Sequence, residues 1–480
     1  MKGRLIALGL ILLLGAAVGS RSILHRLQAG TLAAQAHSGE FRIWTWKGDA
    51  KLIEDHPILG TGPGTFDYTY PRYALVGFAA HAHNSYLQIA GDIGIPGLFF
   101  VLATFMGALL IGVKAIGMSQ VKEEEGSPAL APPAKKKARK AEPAPEPESP
   151  GRLFLDQTAP PEDRWVLIGL LGGLVAGLIQ NLIDSDLYLL FNGVTTIALT
   201  GFIFAIAQNR EAPVTAPPRR AISLAGTAVC GLVVVGMFWN GIATSYAAAG
   251  DYQSAQGMEP LSGPFTSLLG WRTYLPQGNA GGAEMALRRA TELAPDSISF
   301  NHLGDYYLYA KQPEAAVISF QDGLRFDPNS LELLLKTAQT EDSLGHHADA
   351  LRYYAKMAAL QQAPYGRILA ITEVTEYRYA YADSAVGNQN LIQGNLQAAQ
   401  ANFQSAQRVL EAYAREGGSR NIMRLAENGH KSDSDLDQGL QQLYQQVMAQ
   451  LEQIAVQTGK PDRATALKAR AAMFAPKFTT

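Results

Sequence analysis

The chain has 480 residues, 47% of them hydrophobic, with a mean hydropathy of −0.01, which leaves room for two or three domains. Forty basic against 42 acidic residues give a net charge of −2, so charge offers no argument for nucleic acid as a partner. The single cysteine, Cys230, excludes an intrachain disulfide and a cysteine-based zinc site. The averages conceal an uneven chain. Residues 165–183, 187–207 and 221–250 hold no Asp, Glu, Lys or Arg, whereas the chain beyond Gly250 is polar and rich in Ala and Gln. This pattern describes a membrane protein with a soluble tail.

A bilayer core of about 30 Å needs about 20 apolar helical residues. Five stretches qualify: 4–20, 93–116, 164–183, 187–207 and 221–241. The first follows Lys2 and Arg4 and ends in Ala17-Val18-Gly19, so it reads either as a retained membrane helix or as a cleaved signal. Both readings put Arg21 onward outside. Threading the remaining spans places 21–92 outside, 117–163 inside, the Asp184/Asp186 corner outside, 208–220 inside and 242–480 outside. The positive-inside rule agrees. The inner segments carry Lys135-Lys136-Lys137, Arg139, Lys140, Arg210, Arg219 and Arg220, and the outer corner carries only acids.

The external stretch 37–97 holds or borders five of the nine histidines, at 25, 37, 56, 81 and 83. Arg42, Lys47 and Arg72 set cations beside Trp44, Trp46, Tyr68, Tyr70 and Tyr73. Such a mixture suits a sugar ring and a phosphate, although an interfacial aromatic belt has the same composition. His81-x-His83 lacks further ligands of metal spacing, so no metal is expected. Gly60-Thr61-Gly62-Pro63-Gly64 reads as a tight turn rather than a phosphate-cradling loop. The segment 117–163, dense in proline and charge with Phe154 as its lone aromatic, reads as a disordered cytoplasmic linker. Its Lys135–Lys140 cluster has the charge to bind nucleic acid or anionic lipid, but reads first as a solvated topogenic run.

The tail repeats itself. Ala283, Leu287, Ala290 and Pro295 align with Ala316, Phe320, Gly323 and Pro328 at a period of 33, and Ala350, Tyr354 and Met357 follow 34 later. Phe300, Leu303, Gly304 and Tyr307 precede Ala316 at the spacing of the first helix of a tetratricopeptide repeat, and Ala399, Phe403 and Ala406 form a looser copy. Small residues at these positions let paired helices approach while aromatics fill the gaps. The tail is therefore expected to be an α-solenoid of about four or five helix pairs, binding proteins or peptides, with His346-His347 solvated in a loop between helices.

Residues 40–114, and more loosely 164–207, resemble the C-terminal part of the O-antigen ligase/polymerase superfamily. Two blocks carry the resemblance. One runs from Arg42-Ile43-Trp44 through His56-Pro57-Ile58-Leu59-Gly60-Thr61-Gly62-Pro63-Gly64-Thr65-Phe66. The other is His83-Asn84, nine residues, then Gly94-Ile95-Pro96-Gly97. Members of the family are membrane glycosyltransferases of the GT-C type. They move a glycan from an undecaprenyl-pyrophosphate carrier to a hydroxyl of a lipid, a growing polymer or a protein, without nucleotide or metal cofactor. The resemblance implies His83 as the catalytic base, with Arg42 on the carrier pyrophosphate. Asn84, Arg72 and Lys47 are further substrate-binding candidates, and Gly94, Pro96 and Gly97 are structural residues that break the chain into an interfacial and a spanning helix. Family members have many more spans upstream of these blocks, so the chain reads as N-terminally short. A second membrane subunit is then expected as a partner, with Arg72 the candidate to replace a missing arginine.

The expected fold class is thus all-α: polytopic membrane helices forming a GT-C-like partial bundle, then a tetratricopeptide α-solenoid. The expected divisions are 1–20, a membrane helix or signal anchor; 21–116, the external loop and motif helix; 117–163, the linker; 164–245, three membrane helices; and 246–480, the external repeat domain. The expected place is the bacterial cytoplasmic membrane, with the repeats on its outer side. The expected partners are a lipid-linked glycan donor, a lipid or glycan hydroxyl acceptor, the membrane, and proteins held by the repeats. The alternative function is a non-catalytic, membrane-anchored tetratricopeptide scaffold.

Overall fold

The computed structural model describes residues 32–77, 79–125, 164–188, 190–207, 235–236, 238–372, 376–418 and 434–478. The expected span at 4–20, most of that at 221–241, and the Lys135–Lys140 cluster lie outside the described residues. Among the described residues every regular element is helical. The longer helices are numbered α1 (Leu32–Asp55), α2 (Ser85–Glu125), α3 (Arg164–Gln180), α4 (Leu190–Ala207), α5 (Ala280–Leu293), α6 (Ser297–Tyr309), α7 (Pro313–Phe326), α8 (Leu331–Ser343), α9 (His347–Gln362), α10 (Arg378–Ile392), α11 (Leu396–Arg415), α12 (Ser434–Gln457) and α13 (Pro461–Phe474). Two compact units interleave along the chain. One gathers the described residues up to Gly48, the segment Tyr68–Ala79 and the chain from Asn240. The other gathers Asp49–Asp67 and Ala80–Trp239.

In the second unit α2, α3 and α4 pack on one another around Phe105, Ala108, Leu167, Leu171, Leu174 and Ile203. Gly112 admits this approach, since a Cβ there would lie 2.9 Å from Leu171. The outward faces stay apolar: Phe99, Phe100, Met106, Leu110, Trp165, Ile179, Ile197 and Phe202 are all exposed. One described helix, over Ser85–Ile116, is long and apolar enough to cross a membrane. Only 22% of its most apolar window is buried, which is the behaviour of a helix facing lipid rather than of a soluble core helix. The apolar helices Trp165–Gln180 and Asn192–Ala207 are shorter than the expected spans 164–183 and 187–207. Hydropathy continues to Ile183, but α3 ends at Gln180 because Asn181 turns inward. Asn181 is 2% exposed, donates to the Gly177 carbonyl at 2.7 Å and accepts from the Leu187 N–H at 2.9 Å. α2 continues to Glu125, past the expected start of the linker at 117.

In the tail the repeat logic holds position by position. Ala283, Leu287 and Ala290 are buried on α5, as are Ala316, Phe320 and Gly323 on α7, Ala350, Tyr354 and Met357 on α9, and Ala399, Phe403 and Ala406 on α11. The partner helices supply the small residue each aromatic needs. A Cβ on Gly304 would lie 2.5 Å from Phe320 Cδ1, and one on Gly387 2.9 Å from the Phe403 ring. Successive pairs α6/α7, α8/α9, α10/α11 and α12/α13 stack in order, which is the solenoid that the period requires. Side-chain caps mark the helix starts. The Asp296 carboxylate accepts from the Ser299 N–H at 2.7 Å and Asn279 Oδ1 from the Gly282 N–H at 2.9 Å, each worth about 1 kcal/mol. Near the end of the chain Glu411 is 1% exposed, and its carboxylate accepts from Arg470 Nε at 2.6 Å, from the Arg415 guanidinium at 2.9 Å and from Tyr444 Oη at 3.2 Å. A buried carboxylate so satisfied ties α11, α12 and α13 together.

Candidate functional site

Two of the motif glycines, Gly60 and Gly94, sit where a side chain would meet backbone. α2 is two helices joined at Gly94, whose φ of 75° and ψ of 172° lie outside the helical region. At that break the Ile95 N–H donates to the Pro57 carbonyl at 2.8 Å, and a Cβ on Gly94 would lie 2.5 Å from the Ile58 carbonyl carbon. Gly60, at φ 67°, is equally close: its Cβ would lie 2.5 Å from the Ile93 nitrogen. The Thr61 and Gly62 N–H groups donate to the Gly91 and Asp92 carbonyls, both at 2.9 Å. The His56–Gly64 block and the Asn84–Gly97 block, distinct in sequence, are thus sewn together by backbone hydrogen bonds at positions where only glycine fits.

His83 sits immediately before α2 with φ 53°, one of two described non-glycine residues at positive φ. Asn84 is the N-cap: its Oδ1 accepts from the N–H groups of Tyr86 at 3.0 Å and Leu87 at 3.1 Å, and its Nδ2 donates to the Leu182 carbonyl at 2.9 Å. The Ser85 N–H donates to the carbonyls of Asn181 at 3.0 Å and Asp184 at 3.1 Å, and Tyr86 Oη donates to the Leu178 carbonyl at 2.7 Å. The end of α3 is thereby held against the start of α2. This brings Asp184 to His83, with Oδ1 3.6 Å from the imidazole Nδ1 and both side chains about one-third exposed. From the sequence Asp184 reads either as a span-end marker or as a polar group turned towards protein or a wet cavity, with no partner named. Its partner lies 101 positions away across a linker, so no local signal could have joined them.

Behind His83, the Gln88 carbonyl oxygen accepts from the Ala82 N–H at 3.1 Å, and its amide nitrogen is 3.3 Å from His81 Nδ1. Asp92 Oδ2 accepts from the Gly64 N–H at 3.1 Å and from Tyr188 Oη at 2.9 Å. Asp49 is fully buried with no hydrogen bond to either carboxylate oxygen. Burial, with the Asp92 carboxylate adding to it, pushes the Asp49 carboxyl up to about 7.

The remaining candidates fall in the other unit. Arg42 lies half-buried on α1. Lys47 sits with its ammonium 3.7 Å over the Trp44 ring, and the Arg72 guanidinium lies 5.4 Å over Phe326 of α7. His346 and His347 are not merely solvated. Their Nδ1 atoms pair with Glu341 at 2.8 Å and Asp342 at 3.0 Å, and Glu341, His346 and Asp349 bring ligand atoms within 4.8 Å of one another.

These features define an α-helical membrane protein whose apolar bundle presents a histidine–aspartate pair and whose tail is a tetratricopeptide-type solenoid. Residues 2–102 match the O-antigen ligase family, Wzy_C, so the chain carries an O-antigen ligase-like domain. No curated protein matches the chain. Among solved structures it is similar to two of MamA, at 19% and 18% identity over 36% and 37% of this chain and 97% and 93% of theirs, both with a TM-score of 0.28. It is also similar to Pseudomonas aeruginosa PilF, at 14% identity over 45% of this chain and 92% of that one, with a TM-score of 0.24. The solenoid reading rests on the chain's own helix pairing.

Proposed function

We propose that the chain is a membrane glycosyltransferase of the O-antigen ligase type, moving a glycan from an undecaprenyl-pyrophosphate carrier to a hydroxyl acceptor. The observation that carries this reading is His83, inside the segment that matches the ligase family and at the capped start of α2, with Asp184 from beyond that segment 3.6 Å from its ring. In this reading His83 takes the acceptor's hydroxyl proton as the acceptor oxygen bonds to the anomeric carbon of the donor sugar. The bond between that carbon and the carrier phosphate oxygen breaks, and the electron pair leaves with the pyrophosphate. The Asp184 carboxylate orients the imidazole and stabilises the imidazolium that forms. Arg42 is assigned to the pyrophosphate, where a guanidinium offers paired hydrogen bonds to the charge that develops. Asn84 fixes the backbone on which His83 stands. Lys47 and Arg72 are engaged with aromatic rings and serve placement more than the carrier. Multiple spans, the repeats on the outer side, a lipid-linked donor and a second membrane subunit belong to the same proposal.

The test is transfer of a labelled glycan from its undecaprenyl-pyrophosphate carrier by the full chain in lipid vesicles, alone and with its co-expressed membrane partners. Release of free carrier together with labelled acceptor is expected. Absence of both under every pairing leaves the chain as a membrane-anchored repeat scaffold.

A further inference from the structure

Three contacts bind the ligase-like segment to the repeats within a single compact unit. Trp44 of α1 meets Tyr365, just after α9, edge-to-face with ring centroids 5.4 Å apart. The Arg72 guanidinium covers Phe326 at the end of α7, and that ring stacks on Phe300 at 5.7 Å. Asn329, in the turn between α7 and α8, donates from Nδ2 to the Ala74 carbonyl at 2.9 Å. The receiving residues recur along the solenoid: Phe326 ends α7 and Asn329 follows it, and Tyr365 follows α9, one repeat later. They form one edge of the stack, made of the loops that leave each second helix.

What they grip is firm. Tyr70, Pro71, Ala74 and Val76 are buried. Gly48 is packed so closely on the 70–73 turn that a Cβ there would lie 2.7 Å from the Tyr73 carbonyl oxygen. The turn and the α1 segment that carries Trp44 are therefore packed directly on each other. Arg42 lies two residues from Trp44 on the same helix.

We propose that the repeat domain acts in cis as a clamp on the ligase-like segment, with Phe326, Asn329 and Tyr365 as positioning residues for the Arg42 stretch of α1. The occupant of this solenoid edge is the chain itself, and what the clamp contributes is a fixed Arg42 for an anionic, pyrophosphate-bearing lipid. That contribution rests on the reading of Arg42 given above; the clamp as an interface does not.

The test has two arms, both on the full chain in membranes. In the first, Cys230→Ser carries Leu75→Cys, next to the buried Ala74, with Asn329→Cys and a protease site placed between residues 141 and 150. A short bismaleimide should hold the two fragments together after cleavage, whereas Leu75→Cys with Thr465→Cys should not be joined. Failure of the first pair to cross-link overturns the clamp. In the second arm, undecaprenyl pyrophosphate binding is measured for Phe326→Leu/Asn329→Ala/Tyr365→Leu. Binding should weaken on the order of tenfold through lost pre-organisation. It should recover with Phe326→Tyr/Tyr365→Phe, which keep both rings. Unchanged binding in the triple variant, with the cross-link intact, overturns the positioning role. Wild-type chain that does not bind the carrier sinks the ligase reading, and the cross-link alone then decides the clamp.

Discussion

Replacing Gly94 with alanine tests the join between the two motif blocks. At φ 75° and ψ 172° the backbone lies in a region used essentially by glycine alone, which costs an alanine about 1 kcal/mol or more. Its Cβ would also lie 2.5 Å from the Ile58 carbonyl carbon and 3.0 Å from the Leu59 nitrogen. These are backbone atoms that cannot rotate away. Relief requires the Pro57–Leu59 turn to retreat, which strains packing by ~2 kcal/mol and gives up the hydrogen bond from the Ile95 N–H to the Pro57 carbonyl, worth about 1 kcal/mol. The expected loss is about 4 kcal/mol. Gly64 is the internal control: its φ is 71°, yet nothing lies within 4 Å of its Cβ, so Gly64→Ala should cost only the backbone part, about 1 kcal/mol. Both variants are compared with wild type by denaturant titration in mixed micelles, following tryptophan fluorescence. Equal destabilisation by the two substitutions would refute the close approach of the blocks at Gly94.

Two further outcomes follow from other parts of the molecule. His302 stacks on Trp271 at 5.3 Å with its Nδ1 2.9 Å from Ser267 Oγ, and burial, aided by the Lys336 charge, lowers its pKa to about 4. The unfolded chain therefore binds the extra proton between about 4 and 6.5, so the solenoid should lose about 3 kcal/mol as pH falls through that window. His302→Gln should flatten this part of the stability–pH curve, and an unchanged slope would remove His302 as its source. For topology, in a Cys230→Ser background, an impermeant thiol reagent on intact cells should label Lys311→Cys, an exposed site on the repeats, and spare Gly126→Cys. The reverse pattern would invert the orientation.

The repeats were legible because a solenoid sets the same residue types on the same helix faces. Ala283, Ala316, Ala350 and Ala399 could be aligned from spacing alone, and each is buried. The break at Gly94 was legible for a similar reason, since Gly-Ile-Pro-Gly cannot continue a regular helix. What spacing could not supply was pairing. Hydropathy carried the third expected span through Asn181 to Ile183, whereas the Asn181 side chain closes a turn on Leu187 and the start of α2. The approach of Asp184 to His83 and the bond from Asn329 to Ala74 join residues 101 and 255 positions apart. Only tertiary structure makes those partners, and the proposed chemistry and clamp rest on them.

The most direct measurement of the central claim is glycan transfer from the undecaprenyl-pyrophosphate carrier by wild type and His83→Ala, matched for expression, with Asp184→Asn alongside. The account expects transfer to be lost in His83→Ala. Asp184→Asn should retain a reduced rate, because the carboxylate beside the imidazole no longer orients it. Transfer by His83→Ala at the wild-type rate would contradict it.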